Sequence, residues 1–448
     1  MMRSVSGLRG IVGTDLVPDV VRRYAGAFGT FLRGAGGSAV GIARDSRQSG
    51  PAFAAVAAEA LAAAGLDVVD FGMIPTPTAQ LGVEKLGLAG GIVVTASHNP
   101  VEWNALKFIG PGGRFLSRGE ADAFFGLVDG GGAIVAPRAG AIRADPGAVG
   151  RHLDLLLGLP WLNVGAIRDR RFTVALDCVR GAGATIMPEL LERLGCAMHA
   201  INLEPDGRFP REPEPIPEHL GELSGAVRAA GADIGFAVDP DVDRLAIVSE
   251  TGEPIGEDYT LAFAVRAVVS RKPGAVVTNL STSLVVDDAA AAYGLVVDRA
   301  PVGEANVVER MTMRSAVVGG EGNGGVILPE VHLGRDAPVA AALALALLAQ
   351  GRSVSGIVNS APRYAIVKAK LDRPAGSLES WYAALGDRMP GATADRQDGL
   401  RLALRDRWMH CRPSGTEPVV RIIAEAPTRA DAEDLVERGR AALAEMRG

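Results

Sequence analysis

The segment Thr95-Ala96-Ser97-His98-Asn99-Pro100 follows the apolar run Gly90-Gly91-Ile92-Val93-Val94. A buried strand running into an Asn-Pro turn presents Ser97 on a loop at the strand's end, where α/β proteins place much of their chemistry. A hydroxyl so placed suits a nucleophile or a phosphate carrier. Asp239-Pro240-Asp241-Val242-Asp243-Arg244 follows a second run, Asp233-Ile234-Gly235-Phe236-Ala237-Val238. Three carboxylates at alternate positions repel one another unless a cation sits between them. Oxygen-only ligation by a compact loop suits Mg²⁺, and the Gly and bidentate Glu of a calcium EF-hand loop are missing. Gly319-Gly320-Glu321-Gly322-Asn323-Gly324-Gly325 brings backbone close to a ligand, with Glu321 and Asn323 as its polar side chains. That mixture of donor and acceptor suits sugar hydroxyls. Arg412-Pro413-Ser414-Gly415-Thr416-Glu417-Pro418, with Arg421 beyond it, supplies guanidiniums, hydroxyls and backbone N–H groups for a phosphate. The Gly-x4-Gly-Lys-Ser/Thr spacing of a P-loop is absent. Each segment alone also reads as an ordinary turn; the four together favour phosphate chemistry on a sugar.

These segments need strands to present them. Strand-like runs alternate with Ala- and Leu-rich helical stretches through three quarters of the chain, which implies mostly parallel sheets. Ala39–Ala43, Val68–Phe71 and Ile92–Thr95 read as strands, with a helix over Pro51–Ala64. A helix from Ala337 to Gln350 reads as buried and capped by Asp336. Four units are expected, over residues 1–144, 145–254, 255–361 and 362–448. The last has strands at Leu400–Leu404, Trp408–Arg412 and Val419–Ala424 and ends in an amphipathic helix, an α+β order.

The 448 residues exceed one ordinary domain. A net charge of −6 argues against nucleic acid as the main partner. It permits an anionic substrate, because local arginines set the field in a cleft. Cys178, Cys196 and Cys411 form no CxxC and fit a reduced, cytoplasmic protein. No apolar run reaches membrane-span length, so no membrane partner is expected.

In type and order the segments resemble the α-D-phosphohexomutase superfamily. Ser6-Gly7-Leu8-Arg9-Gly10, Ala43-Arg44-Asp45-Ser46-Arg47 and Pro75-Thr76-Pro77-Thr78 extend the likeness over nearly the whole chain. Val101-Glu102-Trp103-Asn104-Ala105-Leu106-Lys107 and Gly334-Arg335-Asp336-Ala337 resemble the bacterial and archaeal phosphoglucosamine mutase-like branch.

The resemblance implies three similar mixed-sheet α/β domains and a C-terminal α+β lid around a central cleft. One loop comes from each, in chain order the phosphoserine, metal, sugar and phosphate loops. It implies that Ser97, phosphorylated at rest, passes its phosphoryl group to a sugar monophosphate. The sugar 1,6-bisphosphate then turns over and returns its other phosphate. Ser97, Asp239, Asp241 and Asp243 would hold Mg²⁺. Arg244 and His98 would face the transferring group, and Arg9 and Lys107 would be the general acid/base. Proximity to metal and arginine would lower the Lys107 pKa. Glu321 and Asn323 would grip the sugar, and Arg412, Ser414, Gly415, Thr416 and Arg421 the other phosphate.

The chain departs from common members. Gly325 stands where many carry His, Asn323 where many carry Ser, and Glu304 where several carry His. Asn279-Leu280-Ser281-Thr282 lacks a lysine that phosphomannomutase/phosphoglucomutases have. A site poorer in cations, with Glu304 near C2 of the sugar, would favour a cationic amino sugar. The expected reaction is interconversion of glucosamine 6-phosphate and glucosamine 1-phosphate. Phosphomannomutase/phosphoglucomutase activity, a phosphatase and a catalytically silent phosphosugar-binding protein are the alternatives. The oligomeric state, monomer or homodimer, stays open.

Overall fold

The computed structural model describes residues 1–5, 7–374, 377–414 and 419–445. The first sheet has seven strands, in the order Met2–Ser4, Gly7–Ile11, Trp103–Ile109, Gly91–Val94, Ala39–Arg44, Asp67–Met73, Ile142–Ala144. The second runs Leu245–Ser249, Ile234–Val238, Thr173–Asp177, Ala197–Ile201. The third runs Gly325–Ile327, Val318–Glu321, Val276–Asn279, Val297–Ala300. The third to sixth strands of the first sheet and all four of the other two therefore share one order and one chain path. Three units of one architecture are followed by a fourth, an all-antiparallel five-stranded sheet with helices Glu379–Arg388 and Arg429–Glu445.

These sheets are mixed: parallel pairings predominate in the second and third, and the first has as many antiparallel as parallel. In each of the first three, the strand that ends in a chemical segment returns antiparallel: Gly91–Val94 with Trp103–Ile109, Ile234–Val238 with Leu245–Ser249, and Val318–Glu321 with Gly325–Ile327. The connections, residues 95–102, 239–244 and 322–324, are too short for a parallel crossover, which needs about a dozen residues or more. The chemical loops are hairpin turns on strands held from behind by parallel neighbours.

The expected strands and helices lie within one or two residues of their observed bounds. Two strands of the last unit were not expected. Ala365–Asp372 alternates half-buried and exposed residues after Val367, including Lys368 and Lys370, and Thr393–Asp395 has three residues; both are sheet edges.

Helix Ala337–Leu348 is apolar on all sides and almost wholly buried. Asp336 caps it by accepting from the Val339 amide at 3.0 Å, and Pro338 fits its first turn. Its environment is one apolar core running through the second and third units, from Leu176 and Phe236 to Val268 and Leu345. The last unit keeps a separate core around Trp381, Ile422 and Leu443. Among the described residues no helix is long and apolar enough to cross a membrane.

Candidate active site

Ser97 has φ of +50°, a left-handed conformation that costs a non-glycine residue free energy and marks functional turns. The turn is held by Arg47, 1% exposed. Its guanidinium donates to four carbonyls of the loop: Ser97 at 2.7 Å, Asn99 at 2.6 Å, Pro100 at 2.7 Å and Trp103 at 2.8 Å. Asp45 pairs with Arg47 Nε at 3.1 Å and accepts from Thr95 Oγ1 at 2.7 Å, while Thr95 Oγ1 accepts from the Ser97 amide at 3.0 Å. The serine therefore sits on a frame of buried charge and hydrogen bonds.

Ser97 Oγ donates to Asp239 Oδ2 at 2.8 Å, so the first and second units meet at these two side chains. The carboxylates of Asp239, Asp241 and Asp243 are buried, and their ligand atoms lie within 4.8 Å of one another. Val242 between them has φ of +66°, strained for a β-branched residue, and turns successive carboxylates to one side. Lys107 Nζ donates to Asp241 Oδ2 at 2.6 Å and lies 3.4 Å from Asp243 Oδ2. Thr76 Oγ1 also donates to Asp241 Oδ2, at 2.6 Å. Asp241 Oδ1 and Asp243 Oδ1 are buried and find no hydrogen-bond partner among the described residues. Arg244 Nε is 3.7 Å from the latter. Two orphaned hard acceptors beside the Ser97 hydroxyl fit a divalent cation with oxygen ligands.

The electrostatics carry the same mark. Burial, then Asp243 and Asp241, push Asp239 well above the usual carboxylate range. Burial acts the same way on Asp243, but Arg335, Lys107 and Arg244 outweigh it and hold that carboxyl well below the range. Burial favours the neutral form of Lys107, yet Asp241 and Asp243 outweigh burial and raise its pKa. Arg244, then burial and Arg9, push His98 down to about 2, so its imidazole is neutral in these surroundings. Its Nδ1 is 3.4 Å from Ser97 Oγ. Arg9 is half-buried and donates to Asn99 Oδ1 at 2.6 Å. Arg244 pairs with Glu214 at 3.2 Å.

Glu321 is 4% exposed. Its Oε1 accepts from Asn279 Nδ2 at 2.8 Å and the Gly303 amide at 3.0 Å, and its Oε2 from Arg335 Nη1 at 2.8 Å. Asn323 is half-buried and accepts from the Gly325 amide at 3.2 Å. Glu304 does not stand ready for a sugar amine as expected. It is buried, accepts from Arg335 Nε at 2.9 Å and from Gln80 Nε2 at 3.3 Å, and burial pushes its carboxyl up to about 7 despite Arg335.

In the last unit Arg412 and Arg421 face each other directly across two antiparallel strands. Like charges so placed are unfavourable, and an anion between them would be stabilised. Arg412 pairs with Asp398 at 2.6 Å, and the Ser414 amide bonds to the Val419 carbonyl at 2.9 Å. Gly415, Thr416, Glu417 and Pro418 lie outside the described residues, as does Ser6 of the first motif. The Arg412 strand reaches the third unit through Ser281 Oγ with His410 Nδ1, 2.8 Å apart, and through the Val302 amide with Asp398 Oδ2, 3.2 Å.

Sequence reasoning missed Arg47, Thr76, Gln80 and Arg335 as site residues, although the segments around Arg47, Thr76 and Arg335 contributed to the resemblance. His152, His332 and Asp336 form a second buried group. Asp336 Oδ2 lies 2.8 Å from His152 Nε2 and 2.9 Å from His332 Nε2, and His152 Nδ1 is 2.9 Å from Thr78 Oγ1. With Asp336 Oδ1 capping a helix, this cluster knots the first three units together.

Family models for phosphoglucomutase/phosphomannomutase match the chain in order: alpha/beta/alpha domain I over residues 2–127, domain II over 152–252, domain III over 256–364 and the C-terminal domain over 367–442. A protein of Methanopyrus kandleri named "Probable phosphoglucosamine mutase" is 36% identical over 438 residues, covering 96% of this chain and 95% of its own. A "Phosphoglucomutase/phosphomannomutase" of Thermococcus kodakarensis is 34% identical, covering 97% and 96%. A crystal structure of a phosphoglucomutase/phosphomannomutase family protein from Burkholderia thailandensis superposes with a TM-score of 0.85 at 28% identity, covering 99% of this chain and 98% of that one.

Proposed function

This chain belongs to the phosphoglucomutase/phosphomannomutase family and is a phosphohexomutase, an intramolecular phosphotransferase; on that premise we propose that it interconverts glucosamine 6-phosphate and glucosamine 1-phosphate through Ser97. The observation that carries the mechanism is the strained Ser97 turn with its hydroxyl 2.8 Å from Asp239, in a cluster of carboxylates with two unused acceptors. Asp239, Asp241 and Asp243 would hold Mg²⁺, which when bound would offset the negative charge of a transferring phosphoryl group.

The chain's own residues do the rest. Arg47 and Asp45 fix the Ser97 turn. The P–Oγ bond to Ser97 breaks as a bond forms between phosphorus and a sugar hydroxyl, which loses its proton. Lys107 and Arg9 are the candidates for general acid/base, and Lys107 Nζ donates to Asp241 at 2.6 Å. Glu321 and Asn323 hold the sugar, and Arg412, Ser414, Thr416 and Arg421 the non-reacting phosphate. A sugar 1,6-bisphosphate reorients in the cleft and returns its other phosphate to Ser97.

The amino-sugar reading is supported by relatives named probable phosphoglucosamine mutase, at 36% and 31% identity. Phosphomannomutase/phosphoglucomutase activity is the second reading, favoured by the 34% identical relative of that name. Incubation with glucosamine, glucose and mannose 6-phosphates separates these readings. The expected result is the 1-phosphate without free phosphate, the highest kcat/KM for glucosamine 6-phosphate, and one phosphate on the Ser97 peptide by mass spectrometry. Ser97→Ala should lose mutase activity by orders of magnitude and keep phosphosugar binding. An active Ser97→Ala variant would reject the phosphoserine route, and higher kcat/KM for glucose or mannose 6-phosphate the amino-sugar assignment.

A further inference from the structure

Arg335 lies outside the four chemical segments, yet its guanidinium forks to three carboxylates. Nη2 donates to Asp243 Oδ2 at 2.6 Å, Nη1 to Glu321 Oε2 at 2.8 Å and Nε to Glu304 Oε2 at 2.9 Å. Asp243 belongs to the metal loop of the second unit and Glu321 to the sugar loop of the third, while Glu304 is held in turn by Gln80 of the first. The side chain is 11% exposed. A Cβ on Gly325 would lie 2.2 Å from Arg335 Cδ and 2.9 Å from its Cγ. The arginine stem thus fills the space that any side chain at position 325 would need. Lysine, a point charge on a flexible stem, cannot reproduce a three-way fork.

We infer that Arg335 is the positioning residue that couples the sugar loop to the metal loop, aiming Glu321 at the sugar and, as a fixed countercharge on Asp243, loosening the hold of the aspartates on a divalent cation. This rests on the proposed reading of Asp239, Asp241 and Asp243 as a metal loop and Glu321 as a sugar contact. The two roles have opposite consequences. Without the guanidinium, Glu321 keeps only its Asn279 and Gly303 partners, and phosphosugar affinity falls. The same loss leaves one more uncompensated negative charge beside the aspartates, and divalent-cation affinity rises. A residue that merely held the fold together would weaken both.

The test uses the full chain carrying Ser97→Ala, so that nothing turns over. Calorimetry would measure the Kd for Mn²⁺ and for glucosamine and glucose 6-phosphates, with and without Arg335→Met or Arg335→Lys. Arg335→Met should bind the phosphosugars about tenfold more weakly and Mn²⁺ several-fold more tightly, as expected for losing charged hydrogen bonds on one side and a countercharge on the other. Arg335→Lys should restore the parent's Mn²⁺ affinity but not its phosphosugar affinity. Gly325→Ala changes no charge and crowds the arginine stem and, at 3.1 Å, Asn323 Oδ1. It should weaken phosphosugar binding, and it serves alone if Arg335→Met fails to fold. Equal weakening of both ligands, or no change in either, would overturn the inference. If the Ser97→Ala parent itself binds neither Mn²⁺ nor phosphosugar, the reading of the loops fails first and the inference with it.

Discussion

A guanidinium forms the floor of the Ser97 turn. Arg47 converts four loop carbonyls, which would otherwise point into a dry interior, into acceptors of charged hydrogen bonds, and Asp45 balances its charge. The arrangement places the strain of the Ser97 turn where only the hydroxyl benefits. Arg47→Gln should leave Asp45 buried and unpaired, lowering stability by about 3–5 kcal/mol. At a temperature where the variant is folded it should also lower kcat more than it raises KM, because the hydroxyl is misplaced while the sugar and phosphate loops are intact. Chemical denaturation with steady-state kinetics checks both, and a variant of parental stability would show that the loop holds its own shape.

At the level of the elements, one device recurs. A buried strand with a parallel neighbour turns through a short hairpin whose side chains do the chemistry, and an antiparallel strand carries the chain back. Helices at the unit boundaries then fix the hairpins to one another. Helix Glu257–Val269 is one of them, and Asp258 in its first turn accepts from the Ser283 amide at 2.8 Å. Burial, then nearby Glu425 and Glu257, raise its carboxyl to about 8 although the Ser283 bond opposes them. Such a group keeps in the folded chain a proton that the unfolded chain releases near pH 4. Its contribution is complete below that value and is lost as pH rises through about 8. Asp258→Asn keeps an acceptor for Ser283 and removes the titration. Its Tm should gain on the parent's at about pH 9 relative to about pH 5. Thermal scans at the two values test this, and a difference independent of pH would count against a protonated Asp258.

For the whole molecule, the last unit has an apolar core of its own, whereas the second and third units share one, against which Tyr364 packs. Its described contacts with the third unit include polar ones, Glu425 with Ser283 and the Leu284 amide, His410 with Ser281, and Tyr364 with Asp288 at 3.0 Å. Polar contacts of this kind can be exchanged for water at modest cost, which permits rigid-body movement. Closure would bring Arg412 and Arg421 onto the distal phosphate and exclude water from Ser97. Solution scattering should show a smaller radius of gyration with glucose 1,6-bisphosphate bound than without, and an unchanged value would argue for a fixed fourth unit.

Local geometry carried by contiguous residues was readable directly. Ser97 after an apolar strand, three alternating aspartates and a glycine-rich loop each fall on a turn at a strand's end, because strand and turn geometry is local. The strand ends and the Asp336 cap were legible for the same reason. What unit packing settled was different in kind. Ser97 and Asp239 are 142 residues apart, Thr76 and Asp241 165, and Arg335 and Asp243 92. No spacing within one segment encodes such meetings. Lys107 meets Asp241 and Asp243, and Glu304 meets Arg335 and Gln80, only because packing brings distant segments together. Side-chain types are written along the chain, whereas the charge each one faces is set by which distant carboxylate or guanidinium the packed units bring within about 4 Å, the range over which Coulomb energies in a dry site outweigh those in water.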